Sequence, residues 1–338
     1  MTTTPTNLAL DLGRSLVEPA LRDAVRHCLC PELARVTAYH HGWTDAAGRP
    51  AEGRGGKLVR PALALLSARA ASFTAADGVP AAVAVELVHN FSLLHDDIMD
   101  GDTVRRGRAT AWTVFGAPQA ILGGDALLAA ATTVLLDTRR VGAASATRSL
   151  IAATQRMISG QAADMDFEQR DDVTVAECLR MAGDKTGALL ACACALGAEL
   201  VGGDVALVQR LAAFGEHIGL AFQLVDDLLG IWGDPEHTGK ETGADIRARK
   251  KSLPVVAALN AAQSDELHAL YHGPEPFTEA DVRRITDLVE RGGGRDWAQE
   301  EAARMTAAAE ECLAGAGIAD AVHGEFRDVA ALILGRRS

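Results

Sequence analysis

Helical periodicity runs through this chain almost from end to end. In two places it carries something a helical core should not contain, namely adjacent aspartates followed by fixed cations. The first cluster is His95-Asp96-Asp97-Ile98-Met99-Asp100, running into Arg105-Arg106-Gly107-Arg108. The second is Gln223-Leu224-Val225-Asp226-Asp227, running through Gly233-Asp234-Pro235 to Lys240. Neighbouring carboxylates repel one another and are costly to bring together without a cation. Two such groups inside apolar helical segments point to a divalent metal with a preference for oxygen ligands. The arginines and lysines beside them point to an anion that shares the metal, most simply a diphosphate.

No convincing period-two strand competes with the helical pattern. The spacing predicts a helix over about 14–29 stopped near Pro31, a second to about Tyr39, and a Gly-rich loop at Ala51–Gly56. A helix begins around Pro61, and Pro80 opens a long one to about Asp100, prolines being tolerated in a first turn. Asp102–Gly116 reads as a polar connection, Pro118 starts the next apolar helix, and others cover about 145–169, 174–201 and 204–231. Gly233–Ser252 is a long charged loop, of the kind that is often functional in a compact domain. Helices resume at Pro254, Thr278-x-x-Asp281 caps another, and the glycines of Arg291–Arg295 form a hinge before the last two. No composition break divides the chain. The expectation is a single all-α domain over 1–338, with core motifs in 50–255 and C-terminal helices in 278–335.

A net charge of −12 argues against a general nucleic-acid surface, so any polyanion must be held by a local cation cluster and metal. Of 33 basic residues only five are lysine: Lys57, Lys185, Lys240, Lys250 and Lys251. Nearly all sit in Gly-rich or Gly-adjacent turns. An ammonium is a compact point charge that a planar guanidinium does not replace well in a crowded phosphate site, so the lysines are independent pointers to the site. Cys28/Cys30 and Cys192/Cys194 are C-x-C pairs without metal spacing, read as buried free thiols of a reducing cytosol. Met1–Leu10 shows no secretory signal, and the longest uncharged apolar stretch, Gly187–Ala198, is too short to span a bilayer. The expectation is a cytoplasmic protein without a transmembrane segment.

On the first helix Asp96 and Asp100 are i and i+4 and share a face, so both can reach one metal pair. Asp97 is turned about 100° away and stands behind them. His89 lies seven residues earlier, almost in line with Asp96 and about 10 Å down the helix. Carboxylates at the negative end of a helix dipole again argue for a bound cation.

These residues resemble a known family. The Asp-Asp-x-x-Asp…Arg-Arg-Gly block is similar to the first aspartate-rich motif of trans-isoprenyl diphosphate synthases, the polyprenyl synthetase family. Gly55-Gly56-Lys57-Leu58-Val59-Arg60-Pro61 resembles its Gly-Gly-Lys-x-x-Arg-Pro segment. Phe222-Gln223…Asp226-Asp227 through Gly239-Lys240 and Lys250-Lys251-Ser252-Leu253-Pro254 resembles its second motif and trailing loop. The match spans roughly residues 50 to 255 in the expected order. It implies an all-α helical bundle of the isoprenoid synthase type, with a central active-site cavity and one site in each subunit of a homodimer.

The resemblance also implies roles. Lys57, Arg60, His89 and Arg106 match the cationic clamp on isopentenyl diphosphate. The allylic diphosphate (C5 to C15) is held through three Mg²⁺. Asp96 and Asp100 match ligands of two of these, and Asp226 a ligand of the third. Asp97 and Asp227 complete the two pairs among the catalytic positions. Arg105, Lys185 and Lys240 match cations on the allylic diphosphate, Lys250 a further one, and Thr186 and Gln223 positions facing that substrate. The Gly183-Asp-Lys-Thr-Gly187 setting predicts a kink that turns Lys185 and Thr186 toward the site. Ionising an allylic C–O bond develops charge on the leaving diphosphate, which Mg²⁺ and fixed cations stabilise. One unit-charge contact near 4 Å is worth about 4 kcal/mol at an effective dielectric near 20.

Two departures matter. The second motif has Gly230 at its fifth position, removing one carboxylate, for which Asp234 offers a replacement from the loop. The lysine segment has Leu58 where many relatives have a second basic residue. Phe91 and Ser92 lie five and four residues before Asp96, and no insertion widens the motif. This combination resembles geranylgeranyl diphosphate synthases, so a C20 product is expected, although the helical wheel turns Phe91 well away from the aspartates. Farnesyl or longer-chain synthases are alternatives. So is a class I terpene cyclase, which would usually carry a hydroxyl and a glutamate where this chain has Asp226-x-x-Leu229. A non-catalytic subunit should have lost part of the first motif.

Overall fold

A computed structural model of the chain describes residues 10–51, 56–235, 241–261, 264–273 and 276–335. Its architecture is all-α. A π-helical turn at Gly13–Val17 leads into α1 (Glu18–Cys28), followed by α2 (Pro31–His40), α3 (Val59–Ala70) and α4 (Val79–Met99). A hairpin of β1 (Val104–Arg105) and β2 (Arg108–Ala109) precedes α5 (Ala111–Phe115), α6 (Ala117–Leu136) and α7 (Ala143–Phe167). Next come α8 (Val175–Ala182), a second π turn at Gly183–Gly187, α9 (Ala188–Leu200) and α10 (Val205–Trp232). The remainder is α11 (Ala244–Arg247), α12 (Leu253–Leu259), α13 (Asp265–Tyr271), α14 (Glu279–Arg291), α15 (Gly294–Ala314) and α16 (Asp320–Leu334). Prolines stand in the first two positions of α1, α2, α4, α6 and α12, where a missing N–H costs nothing.

The chain falls into two compact units, and the boundaries between them lie inside α7, α10 and α16 and within α9. The first unit takes residues up to Ala152, Cys192–Ala212 and Ala316–Val329. Here α4 packs along α6 and α3 packs on α4. Leu63, Leu66, Leu87, Leu94, Leu127 and Leu135 are buried between them. Each such side chain contributes roughly 1.5–3 kcal/mol relative to exposure. Buried Ser67 is satisfied on both sides, donating to the Ala64 carbonyl (2.9 Å) and accepting from the Ala198 N–H (3.2 Å). Arg69 grips Glu325 with both nitrogens (2.5 and 2.8 Å) and ties α16 into this unit.

The second unit takes Ala153–Ala191, Ala213–Gly315 and the C-terminus from Ala330. One core gathers Phe167, Cys178, Met181, Leu224, Leu253 and Met305, and another Ile231, Ile246, Val255, Leu267, Tyr271 and Ile285. The cap expected at Thr278 is present: its hydroxyl accepts from the Asp281 N–H (3.2 Å), and Asp281 accepts from the Thr278 N–H (2.9 Å).

Several local readings need correction. The polar connection 102–116 contains the hairpin and α5, because a two-residue strand is too short to show a period. The helix expected over 174–201 is interrupted by the π turn, α3 begins at Val59, and Ala244–Arg247 is a helical turn inside the charged loop. Cys192 and Cys194 are buried, but Cys28 and Cys30 are exposed. Two helices, Ala117–Leu136 and Val205–Trp232, are long and apolar enough to cross a bilayer by length and composition, and the first packs along α4.

Candidate active site

In the first unit α4 is still wound at the acidic cluster, since the Asp100 N–H donates to the Asp96 carbonyl at 2.8 Å. Asp96 and Asp100 therefore share a helix face, half-buried and exposed respectively. Asp97 turns inward and is buried, with Oδ1 accepting from Arg105 Nε at 2.5 Å. Its Oδ2 has no hydrogen-bond partner in the protein. Burial pushes this carboxyl up, Arg105 pulls it back, and the nearby Asp102 and Asp100 charges push it up again. Asp97 thus fixes Arg105 from behind.

The three arginines of the hairpin have separate jobs. Arg106 (φ 53°) and Gly107 (φ 73°) form a two-residue turn with both residues left-handed, the twist a tight hairpin requires. A non-glycine residue there costs about 1–2 kcal/mol. In return Arg106 is directed at Gly56, where a Cβ would stand 3.2 Å from its Nη2. Arg108 anchors the hairpin instead, donating to the Tyr39 and Thr44 carbonyls (3.2 and 2.9 Å) and lying over the Tyr39 ring. A cleft of ≈ 270 Å³ is lined by Tyr39, His40, Asp97, Arg105, Arg106 and Arg108 among others.

Leu58 is the second left-handed non-glycine residue (φ 53°), and it caps α3 between Lys57 and Arg60. Lys57 is exposed, whereas Arg60 Nε is buried without a hydrogen-bond partner. Glu86, buried and bonded to Asn90 Nδ2 (3.0 Å), is pushed up by desolvation, with Asn90, Arg60 and Arg106 drawing it back. Burial, then the charges of Arg60 and Arg106, hold His89 well below the usual histidine range. Lys57, Arg60, His89 and Arg106 are thus gathered in one unit, with a neutral imidazole among the fixed cations. Ser92 Oγ is spent on the His89 carbonyl (2.9 Å), and Phe91 is buried edge-on to the His95 ring (4.8 Å).

In the second unit the predicted kink is the π turn Gly183–Gly187, a device that recurs at functional sites. Each of its polar side chains is held by a neighbouring helix. Asp184 accepts from Arg156 Nε (2.7 Å), Lys185 Nζ donates to Asp164 (2.5 Å), and Thr186 Oγ1 donates to Gln223 Oε1 (2.9 Å). Gly160 lets α7 approach this closely, because a Cβ there would stand 2.2 Å from the Lys185 nitrogen. The chain of bonds continues from Gln223 Nε2 to Asp227 Oδ1 (2.9 Å). Asp227 also accepts from Lys250 Nζ (2.9 Å) and the Leu253 N–H (2.9 Å). It is buried and consumed by the protein, while Asp226 beside it is half-buried. Burial would lower the Lys250 ammonium, but Asp227 and Asp245 more than reverse this and hold it above the usual lysine range. Arg249, left-handed at φ 52°, sets up that lysine. Lys240 lies outside the described residues.

Residues 42–289 match the Polyprenyl synthetase family model. The chain belongs to the polyprenyl synthetase family. Over 334 residues it is 44% identical to a (2E,6E)-farnesyl diphosphate synthase of Mycobacterium tuberculosis, covering 97% of this chain and 93% of that one. Over 299 residues it is 47% identical to a geranylgeranyl diphosphate synthase of the same organism, covering 86% and 85%. The crystal structure of a polyprenyl synthetase from Streptomyces coelicolor superposes with a TM-score of 0.91 at 51% identity, covering 97% of this chain and 99% of that one. The prenyl diphosphate synthase class and the all-α isoprenoid synthase fold follow.

For a polyprenyl synthetase the implied cation is Mg²⁺, and the donor set fits it. The half-exposed carboxylates supply hard oxygen donors, and Asp97 and Asp227 are reserved for protein cations. Among the described residues no three His, Cys, Asp or Glu side chains already close around a point. Mg²⁺ itself binds through one or two carboxylates and completes its shell with water and substrate phosphate.

Sequence reading missed Asp164, Arg156 and Glu216, which orient the π turn, Glu86 beside Arg60 and Arg106, and His40 beside Arg106. Each is an isolated polar residue on a helix, and only the fold reveals its partner. Lys251, taken as a pointer to the site, is buried with Nζ 2.9 Å from His272 Nε2 and holds the loop to α13.

Proposed function

We propose that this chain condenses isopentenyl diphosphate head-to-tail with allylic diphosphates of C5 to C15, with Mg²⁺, to a trans-prenyl diphosphate of C20. The observation that carries the reading is the burial and placement of the two aspartate pairs beside fixed cations. In each motif the second aspartate is buried and held by protein donors, Asp97 through Oδ1 by Arg105 and Asp227 by Lys250, Gln223 and the Leu253 N–H. The first, Asp96 or Asp226, stands half-buried on the helix face.

Asp96 and Asp100 would hold two Mg²⁺ and Asp226 a third. Bound there, the ions neutralise charge on the departing diphosphate. The protein's own work is to position and to exclude. Asp164 fixes Lys185 and Asp97 fixes Arg105, so these cations meet the allylic diphosphate without reorganising, and the family resemblance adds Lys240. Thr186 and Gln223 brace each other toward that substrate, and Lys250 stands behind them. Lys57, Arg60, His89 and Arg106 hold the isopentenyl diphosphate. The allylic C–O bond breaks with its electron pair going to the diphosphate, the isopentenyl double bond forms the new C–C bond, and a proton leaves to the released diphosphate.

The C20 assignment rests on Phe91, a buried aromatic one turn before His95 on the helix that carries Asp96 and Asp100. Relatives of both C15 and C20 names stand at similar identity, so chain length is set by side chains rather than fold. Exposed Ile121, Leu122 and Leu136 on α6 and Ile151 on α7 support a homodimer, since a twofold partner would cover them. A cytoplasmic location accords with six unpaired cysteines. The test is incubation of the pure protein with Mg²⁺, isopentenyl diphosphate and C5, C10 or C15 primers. A C20 diphosphate supports the reading. A cyclised hydrocarbon made without isopentenyl diphosphate, or no turnover, overturns it.

A further inference from the structure

The second motif lacks a carboxylate at Gly230, one helical turn after Asp226. The space beside that glycine is filled. A Cβ built at residue 230 would stand 2.4 Å from Cγ and Oδ2 of Asp245 and 2.7 Å from its Oδ1. No side chain larger than hydrogen fits unless Asp245 moves. The nearest carboxylate is therefore that of Asp245, not Asp234, which is exposed on the loop.

Asp245 is brought there by backbone. The Gly243 N–H donates to the Ile231 carbonyl at 3.1 Å, pinning the loop to the end of α10 beside residue 230. Gly243 (φ 78°) then starts α11, which carries Asp245 in its first turn. The Lys250 N–H returns to the Asp245 carbonyl at 3.0 Å. The side chain is only 14% exposed, and its Oδ2 lies 3.5 Å from Lys250 Nζ, the ammonium that Asp227 also holds.

We infer that Asp245 supplies, from the loop, the carboxylate that the helix lacks at position 230, and that Gly230 is glycine in order to admit it. The face beginning at Asp226 thereby regains a carboxylate at the spacing of Asp96 and Asp100, offered to the Mg²⁺–diphosphate of the proposed reaction. The inference rests on that reading of the site. It separates this chain from one in which the missing aspartate is simply lost, because it couples residues 230 and 245.

The test is Mg²⁺ binding to the full chain in the presence of inorganic pyrophosphate, by titration calorimetry, with thermal unfolding measured with and without Mg²⁺. Asp245→Asn is expected to weaken Mg²⁺ roughly 10- to 100-fold, the usual loss for a carboxylate supporting a metal. Gly230→Asp alone is expected to lower the melting temperature without tightening Mg²⁺. Gly230→Asp combined with Asp245→Gly should recover both the melting temperature and most of the affinity. Unchanged affinity in Asp245→Asn, or tighter binding with unchanged melting in Gly230→Asp, overturns the inference and leaves the synthase reading intact. Absence of Mg²⁺-dependent pyrophosphate binding in the unsubstituted chain sinks that reading and the inference together.

Discussion

Lys185 Nζ lies 2.5 Å from Asp164 Oδ2, and the pair joins the π turn to α7. On the proposed function, an ammonium assigned to the allylic diphosphate is thus oriented before that substrate arrives. Asp164→Ala is expected to raise KM for the allylic diphosphate about tenfold and to leave KM for isopentenyl diphosphate nearly unchanged. Equal effects on both substrates would contradict this assignment.

Removing Lys250 strands a buried charge. Lys250→Ala leaves Asp227, 3% exposed, with only Gln223 and the Leu253 N–H. Breaking one side of such a pair typically costs about 3–5 kcal/mol. Urea unfolding should show a loss in that range. A change under about 1 kcal/mol would mean the pair is not structural.

Stability should fall on mild acidification. His41 is buried, stacked on Trp43, and lowered to about 4, mainly by desolvation. Burial also holds His40 and His89 well below the usual range. A base whose folded pKa is depressed favours folding above its unfolded value near 6.5, and that stability is lost as pH falls toward the folded value. For His41 alone the loss by pH 5 is on the order of 2 kcal/mol. Denaturation at pH 7.5 and 5 measures it, and His41→Asn should flatten the slope.

The cations proposed for isopentenyl diphosphate should separate by burial. Lys57 is exposed, so Lys57→Ala should raise KM for isopentenyl diphosphate at unchanged melting temperature. Arg60, with its buried Nε beside Glu86, should lose both binding and stability on substitution by alanine.

Phe91→Ala should cost about 3–5 kcal/mol as a large-to-small change in a buried site. It should also shift products beyond C20. A destabilised variant with an unchanged product would make Phe91 a core residue and nothing more.

Helix positions and both aspartate motifs were legible in the sequence because each repeats with the helical period or stands out against an apolar background. The two compact units were not, since their boundaries fall inside continuous helices where composition does not change. The Gly183–Gly187 kink could be foreseen from two glycines around three polar residues, but its one-residue π excess could not. The wheel placed Asp97 and Phe91 correctly off the Asp96 face. It could not supply Arg105 or His95 as their partners, nor bring Asp245 back to Gly230, fifteen positions earlier in the chain.

Leu58, Arg106 and Arg249 hold left-handed backbone that glycine would adopt without strain. A library selected for expression or heat resistance alone should therefore drift to glycine at 106 and abandon the cation there. Robust folding and prenyl transfer would be pulled apart at that one codon.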